Sequence, residues 1–139
     1  MVLKRSHSIY KSFYFAIVGF LVVLKEERNL KIQLIVFLLL LFFGYLLRFK
    51  PIEWSVVLLS SSIVIVSEMV NSVIERIMDY VNPEFDNKIK VIKDISASFV
   101  LVACFFSVII FLILLLSRFS HIYSLGSLLN YCFKGISLA

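Results

Sequence analysis

Four glycines, two prolines, two cysteines and two histidines are all that this 139-residue chain holds of those types. Gly19, Gly44, Gly126 and Gly135 stand far apart, so neither a GxxxxGK[ST] phosphate loop nor a kinase-type glycine-rich loop can form. Cys104 lies in an apolar run and Cys132 near the C-terminal end. With no CxxC and no paired histidine, they make neither a zinc centre nor a disulfide framework. His7 and His121 are isolated and read as incidental surface residues. Charge is also scarce, at 17% of residues, where soluble domains carry about a quarter. No Lys/Arg block of the kind nucleic-acid tails use is present, which excludes a nucleic-acid partner.

Apolar side chains are abundant: 61% of residues, with a mean hydropathy of +1.01. A chain this short cannot hide that surface in one soluble core. It is also too rich in Phe, Leu, Ile and Val to be disordered. The composition implies an all-α integral membrane protein, with 1–139 as a single domain lacking internal repeats. Three segments, at about 30–47, 52–78 and 95–117, are long and apolar enough to span a bilayer. Backbone groups in lipid must bond internally, and period-2 alternation is absent, so helices are expected rather than a barrel. Before them, residues 1–28 carry Lys4, Arg5, Ser8, Lys11 and Ser12 at near-helical spacing, then the apolar stretch 13–24. No small-residue cleavage site follows, so this segment is read as an amphipathic helix on the membrane surface. The tail, 118–139, is weakly amphipathic and has no legible role.

Orientation follows from the basic residues. Lys4, Arg5, Lys11, Lys25, Arg28, Lys31, Arg76, Lys88, Lys90 and Lys93 lie on one side, against Arg48, Lys50, Arg118 and Lys134 on the other. That asymmetry puts the N-terminus and the 76–94 loop in the cytoplasm.

The most informative stretch is S-E-M-V-N-S-V-I-E-R-I-M-D, from Ser67 to Asp79. With Glu68 at zero and 100° per residue, Asn71 falls at about −60°, Glu75 at about −20° and Asp79 at about +20°. All four share one stripe of an otherwise apolar helix. A charge at mid-membrane costs about 2.5–3.5 kcal/mol on insertion scales, so the stripe faces either a polar site in a bundle or a cation. The competing reading is ordinary interfacial pairing, Arg76 with Asp79 or Lys93 with Glu75. Glu68 is the deepest of the three acids and the least suited to it. Glu26-Glu27-Arg28-Asn29 and Lys90-x-x-Lys93-Asp94 lie at the same boundary. Mg²⁺ takes one or two carboxylates plus phosphate oxygens, and lysine serves phosphate as a point charge. The ensemble suits a magnesium–nucleotide site at the membrane surface, where a deep carboxylate can serve as base toward a lipid hydroxyl.

E-E-R-N-L-K from Glu26, E-M-V-N-S-V-I-E-R-I-M-D from Glu68 and K-D-I-S-A from Lys93 resemble the prokaryotic diacylglycerol kinase family, which includes the undecaprenol kinases. S-F-x-x-A-x-x-G at Ser12, Phe13, Ala16 and Gly19 adds weaker support, and the resemblance covers about residues 8–117. It implies a homotrimer with active sites between subunits at the cytoplasmic face, phosphorylating a membrane lipid alcohol, diacylglycerol or undecaprenol, from MgATP. By motif position it implies Glu68 as catalytic base and Glu27 and Glu75 as Mg²⁺ ligands. Asn71 supports that acidic pair, and Asp79, Lys93 and Asp94 are implied to contact the nucleotide. E-R-N resembles undecaprenol kinases somewhat more. Ser98, Phe99, Asp86 and Phe15 depart from the family pattern. The alternative is a small proton- or cation-coupled transporter subunit with Glu68 as relay carboxylate, which leaves Glu75, Asp79 and Lys93-Asp94 unexplained.

Overall fold

The computed structural model describes residues 8–84 and 86–136, with side chains through 118. The expectations for Lys4, Arg5, His7, His121, Cys132 and Lys134 therefore fall outside the described side chains. Four helices follow in order: α1 (Ile9–Glu26), α2 (Arg28–Leu46), α3 (Pro51–Val81) and α4 (Asn87–Ile136). Among the described residues there is no strand. Three helices are long and apolar enough to cross a membrane: α2, α3 and the Asn87–Arg118 part of α4.

The helix boundaries have local causes. Glu27 alone separates α1 from α2; its extended backbone (φ −85°, ψ 116°) breaks the helix for one residue, while its N–H still bonds the Val23 carbonyl at 2.8 Å. At the far end of α2, Arg48 takes a left-handed conformation (φ 53°), which lets the Phe49 N–H return to the Gly44 carbonyl at 3.0 Å. Glycine usually holds such a position, since a Cβ there costs about 1–2 kcal/mol. Lys50 and Pro51 then start α3, with the Glu53 carboxylate accepting the Lys50 N–H in a capping box. Asp86 performs the same service for α4, accepting the Lys88 N–H at 2.6 Å.

Two expected boundaries move. Lys93 and Asp94 do not open the third span, because α4 already starts at Asn87 and places them nearly two turns inside it. The tail does not form a separate element either. No proline interrupts the sequence after Pro83, so the backbone continues helical to Ile136. At 1.5 Å per residue α4 is about 75 Å long, more than twice the hydrocarbon thickness of a bilayer.

α3 is the centre of the bundle, packed along α4 and against α2. Its buried positions are Val57, Ser61, Val64, Glu68, Asn71 and Ser72. On the same wheel they occupy about −60° to +40°. The stripe that carries the acids is thus the packed face of α3, apolar at one end and polar at the other. Outward faces expose Leu, Ile and Phe, as helices solvated by acyl chains do.

The end away from the acids closes around two aromatic rings. A Cβ at Gly44 would lie 2.8 Å from the Trp54 ring and 3.1 Å from Phe49, whereas Gly19 has nothing within 4 Å. Gly44→Val is expected to cost about 1–3 kcal/mol by overpacking this elbow. Gly19→Ala should leave stability unchanged or slightly higher. Thermal unfolding in detergent, followed by circular dichroism, separates the two.

Candidate functional site

The polar half of the α3 face is held by side chains from every neighbouring element. Glu68 is 2% exposed. Its Oε2 accepts a hydrogen bond from Gln33 Nε2 on α2 at 3.0 Å, and the Asn29 side chain lies nearby. Glu27 and Glu75 lie close enough for their charges to act on it. A buried carboxylate without partners costs several kcal/mol, so the Gln33 amide is a condition of its burial.

One flank of the stripe faces α4. Asn71, 7% exposed, donates from Nδ2 to Glu75 Oε1 at 2.9 Å. Its Oδ1 accepts from the hydroxyl of Ser96, a residue only 2% exposed, at 2.6 Å. The reverse amide orientation would set an oxygen against the Glu75 carboxylate, so the network fixes which way Asn71 points. One turn further out, Lys93 pairs with Asp79. The other flank faces the α1–α2 break. The Ser72 hydroxyl donates to Glu27 Oε1 at 2.9 Å and accepts from Arg76 Nε at 3.3 Å. Arg76 Nη2 reaches Glu26 at 2.9 Å and Glu27 at 3.4 Å.

Of the residues the sequence singles out, Glu68, Asn71, Glu75 and Glu27 gather around one segment of α3. Asp79 and Lys93 pair at its solvent end, and Asp94 stands exposed on α4. The pairs of the competing interfacial reading are not the ones formed: Arg76 turns to Glu26 and Glu27 rather than to Asp79, and Lys93 takes Asp79 rather than Glu75. The reason is azimuth. Arg76 projects at about +80°, toward the α1–α2 break, while α4 lies on the Glu75 side. Glu27 and Glu75 sit on opposite flanks of the stripe, and no hydrogen bond joins them. Sequence reasoning missed Gln33, Ser72 and Ser96 as members of the site. The only signals were the lone amide of Gln33 between Ile32 and Leu34 and the place of Ser72 at about +40° on the acid stripe; Ser96 had none.

Among the described residues no group of three or more Asp, Glu, His or Cys side chains forms a closed metal cage. The donor chemistry still suits a hard cation that keeps outside ligands. Glu27 and Glu75 each use Oε1 within the protein, and the Oε2 of each has no hydrogen-bond partner among the described residues. Mg²⁺ binds in that way, through one or two carboxylates completed by phosphate and water.

Three helices long and apolar enough to cross a membrane, with a carboxylate buried at one end among an amide, hydroxyls and further acids, define a small helical protein of the membrane type with a buried polar site. Residues 14–115 match the family described as prokaryotic diacylglycerol kinase. The match spans well over half of the chain, which therefore belongs to that family and is a lipid kinase with ATP as phosphoryl donor. No curated protein sequence matches it. The transporter alternative finds no support in this membership.

The network makes a stability prediction. Ser96→Ala leaves the buried Asn71 Oδ1 unpaired and should cost about 1–3 kcal/mol. It should also loosen Glu75 without touching the Glu27 flank. Thermal unfolding in detergent measures the first effect. A double-mutant cycle of Ser96→Ala with Ser72→Ala, expected to be additive, measures the second.

Proposed function

We propose that the chain phosphorylates a membrane lipid alcohol, undecaprenol or diacylglycerol, at the cytoplasmic face of the bacterial inner membrane, yielding undecaprenyl phosphate or phosphatidic acid. The observation that carries this reading is the burial of Glu68 at the junction of the apolar and polar halves of the α3 face. A hydroxyl at the head of a lipid reaches that depth, while a triphosphate belongs outside it. Orientation rests on the basic residues gathered at the Glu26–Arg76 and Asp79–Lys93 end.

Glu68 is the base in this reading. The lipid hydroxyl oxygen bonds to the γ-phosphorus of ATP, the bond from that phosphorus to the β,γ-bridging oxygen breaks, ADP leaves, and the hydroxyl proton passes to Glu68. Glu27 and Glu75 would hold Mg²⁺ through their free oxygens, where it would supply charge neutralisation to the phosphates. Asn71 orients Glu75. Asp79, Lys93 and Asp94, at the water-facing end, contact the nucleotide, with Lys93 as a point charge for phosphate. We place the metal between copies of the chain in a homotrimer, held by Glu27 and Glu75. α1 lies along the surface as an amphipathic helix, its exposed Phe13, Ile17 and Leu21 in contact with lipid. The whole chain, 1–139, acts as one kinase domain. The E-R-N sequence at Glu27 favours undecaprenol over diacylglycerol.

Purified chain in detergent, given ATP labelled at the γ-phosphate, should transfer label to one of the two lipids only when Mg²⁺ is present. Absence of transfer to both overturns the reading. Glu68→Gln should lower turnover at least about 100-fold with nucleotide affinity unchanged. Glu75→Gln should instead weaken Mg²⁺-dependent ATP binding, measured by calorimetry. Equal effects of the two substitutions on binding and turnover would refute separate roles.

A further inference from the structure

Arg76 stands against the oxygen of Glu27 that is not left for a metal. Its Nη2 lies 2.9 Å from Glu26 Oε2 and 3.4 Å from Glu27 Oε1, and its Nε donates to the Ser72 hydroxyl at 3.3 Å. One edge of the guanidinium is thereby spent on the protein. Nη1 has no hydrogen-bond partner among the described residues, and the side chain is 41% exposed. Arginine carries its N–H groups in a planar fork, so those of Nη1 remain for a ligand of phosphate geometry. Exposed ion pairs add little stability, so this charge matters more for what approaches the site than for the fold. Ser72, 1% exposed, donates to the same Glu27 oxygen at 2.9 Å and holds that carboxylate in place without the help of a charge.

A positive side chain beside a metal ligand acts in opposite directions on two kinds of visitor. A bare dication at Glu27 Oε2 shares one carboxyl group with the guanidinium, and the two positive charges repel across it. A magnesium–triphosphate complex keeps net negative charge and brings oxygens to which Nη1 can donate. We propose that Arg76 makes the Glu27 flank selective for Mg²⁺ carried by a nucleotide over Mg²⁺ alone: its charge opposes the bare ion, and its unused Nη1 donates to a phosphate oxygen of the complex. This rests on the kinase reading and gives a task to a residue which that reading leaves without one. The consequence is an order of arrival. The ion enters together with its nucleotide instead of filling the acids first, and until then Arg76 is the counter-ion of Glu26 and Glu27.

Calorimetry on the full chain in detergent, with no lipid substrate, reads the two affinities separately. The probes are MgCl₂ alone and the magnesium complex of the β,γ-imido analogue of ATP, which transfers no phosphoryl group. The wild-type chain should bind the complex at least about 10-fold more tightly than the bare ion. Arg76→Gln should bind the complex about 10-fold more weakly and the bare ion more tightly. A merely structural role does not give opposite shifts, since a loosened site loses both ligands. Affinities that fall together, rise together or stay unchanged, or a shift in one alone, overturn the proposal. Arg76→Lys keeps the charge without the fork and should still exclude the bare ion. A gain of bare-ion affinity in Arg76→Lys equal to that in Arg76→Gln overturns the proposal as well. A wild-type chain that fails to prefer the complex does so whatever becomes of the variants. The kinase reading is tested apart from these comparisons, by transfer of γ-phosphate label to lipid by the wild-type chain.

Discussion

A carboxylate buried among membrane-spanning helices is the constraint around which this structure is arranged. Glu68 cannot sit at 2% exposure unless other groups bring hydrogen bonds to it, and no residue of its own helix does. The amide comes from Gln33, so α2 must dock with that part of its surface against α3. Leu30, fully buried, marks the same contact from its apolar side. The packing of α2 and the burial of Glu68 are therefore one requirement seen from two helices.

The same logic separates the two flanks. On the α4 side a chain of neutral dipoles, Ser96 to Asn71 to Glu75, carries orientation from the buried interior to a half-exposed acid. On the α1–α2 side the linking groups are charged: Arg76 spans Glu26, Glu27 and Ser72. The difference follows exposure. Asn71, Ser72 and Ser96 are buried, where unpaired charge is costly, whereas Arg76 and Glu26 are open to solvent and pair there at little cost. The single-residue break at Glu27 matters because a continuous helix would carry that carboxylate on a different azimuth from the one that meets Ser72.

The opposite end of the bundle is closed by a partly buried ion pair. Arg118 of α4 pairs with Glu53, donates to the Arg48 carbonyl at 2.9 Å and lies 5.8 Å from the centre of the Phe49 ring. Each of its partners belongs to the α2–α3 turn or the first turn of α3. A left-handed residue, a capping box and the last spanning segment are locked together there, which leaves the middle of the bundle to apolar packing. Arg118 lies just beyond the residues that match the family, and its partners Arg48, Phe49 and Glu53 lie within them.

Much was legible without coordinates. Apolar runs of bilayer length implied three spans, and helical periodicity alone aligned Glu68, Asn71, Glu75 and Asp79, because both depend only on local geometry. The motif spacings marked the family, which the match over 14–115 bears out. Partners across helices were not legible. Which arginine meets which acid, that Gln33 rather than a neighbouring residue reaches Glu68, and that Ser72 and Ser96 bridge the flanks depend on how helices rotate against one another. That rotation is decided by burying whole faces at once, and no spacing along a single helix encodes it.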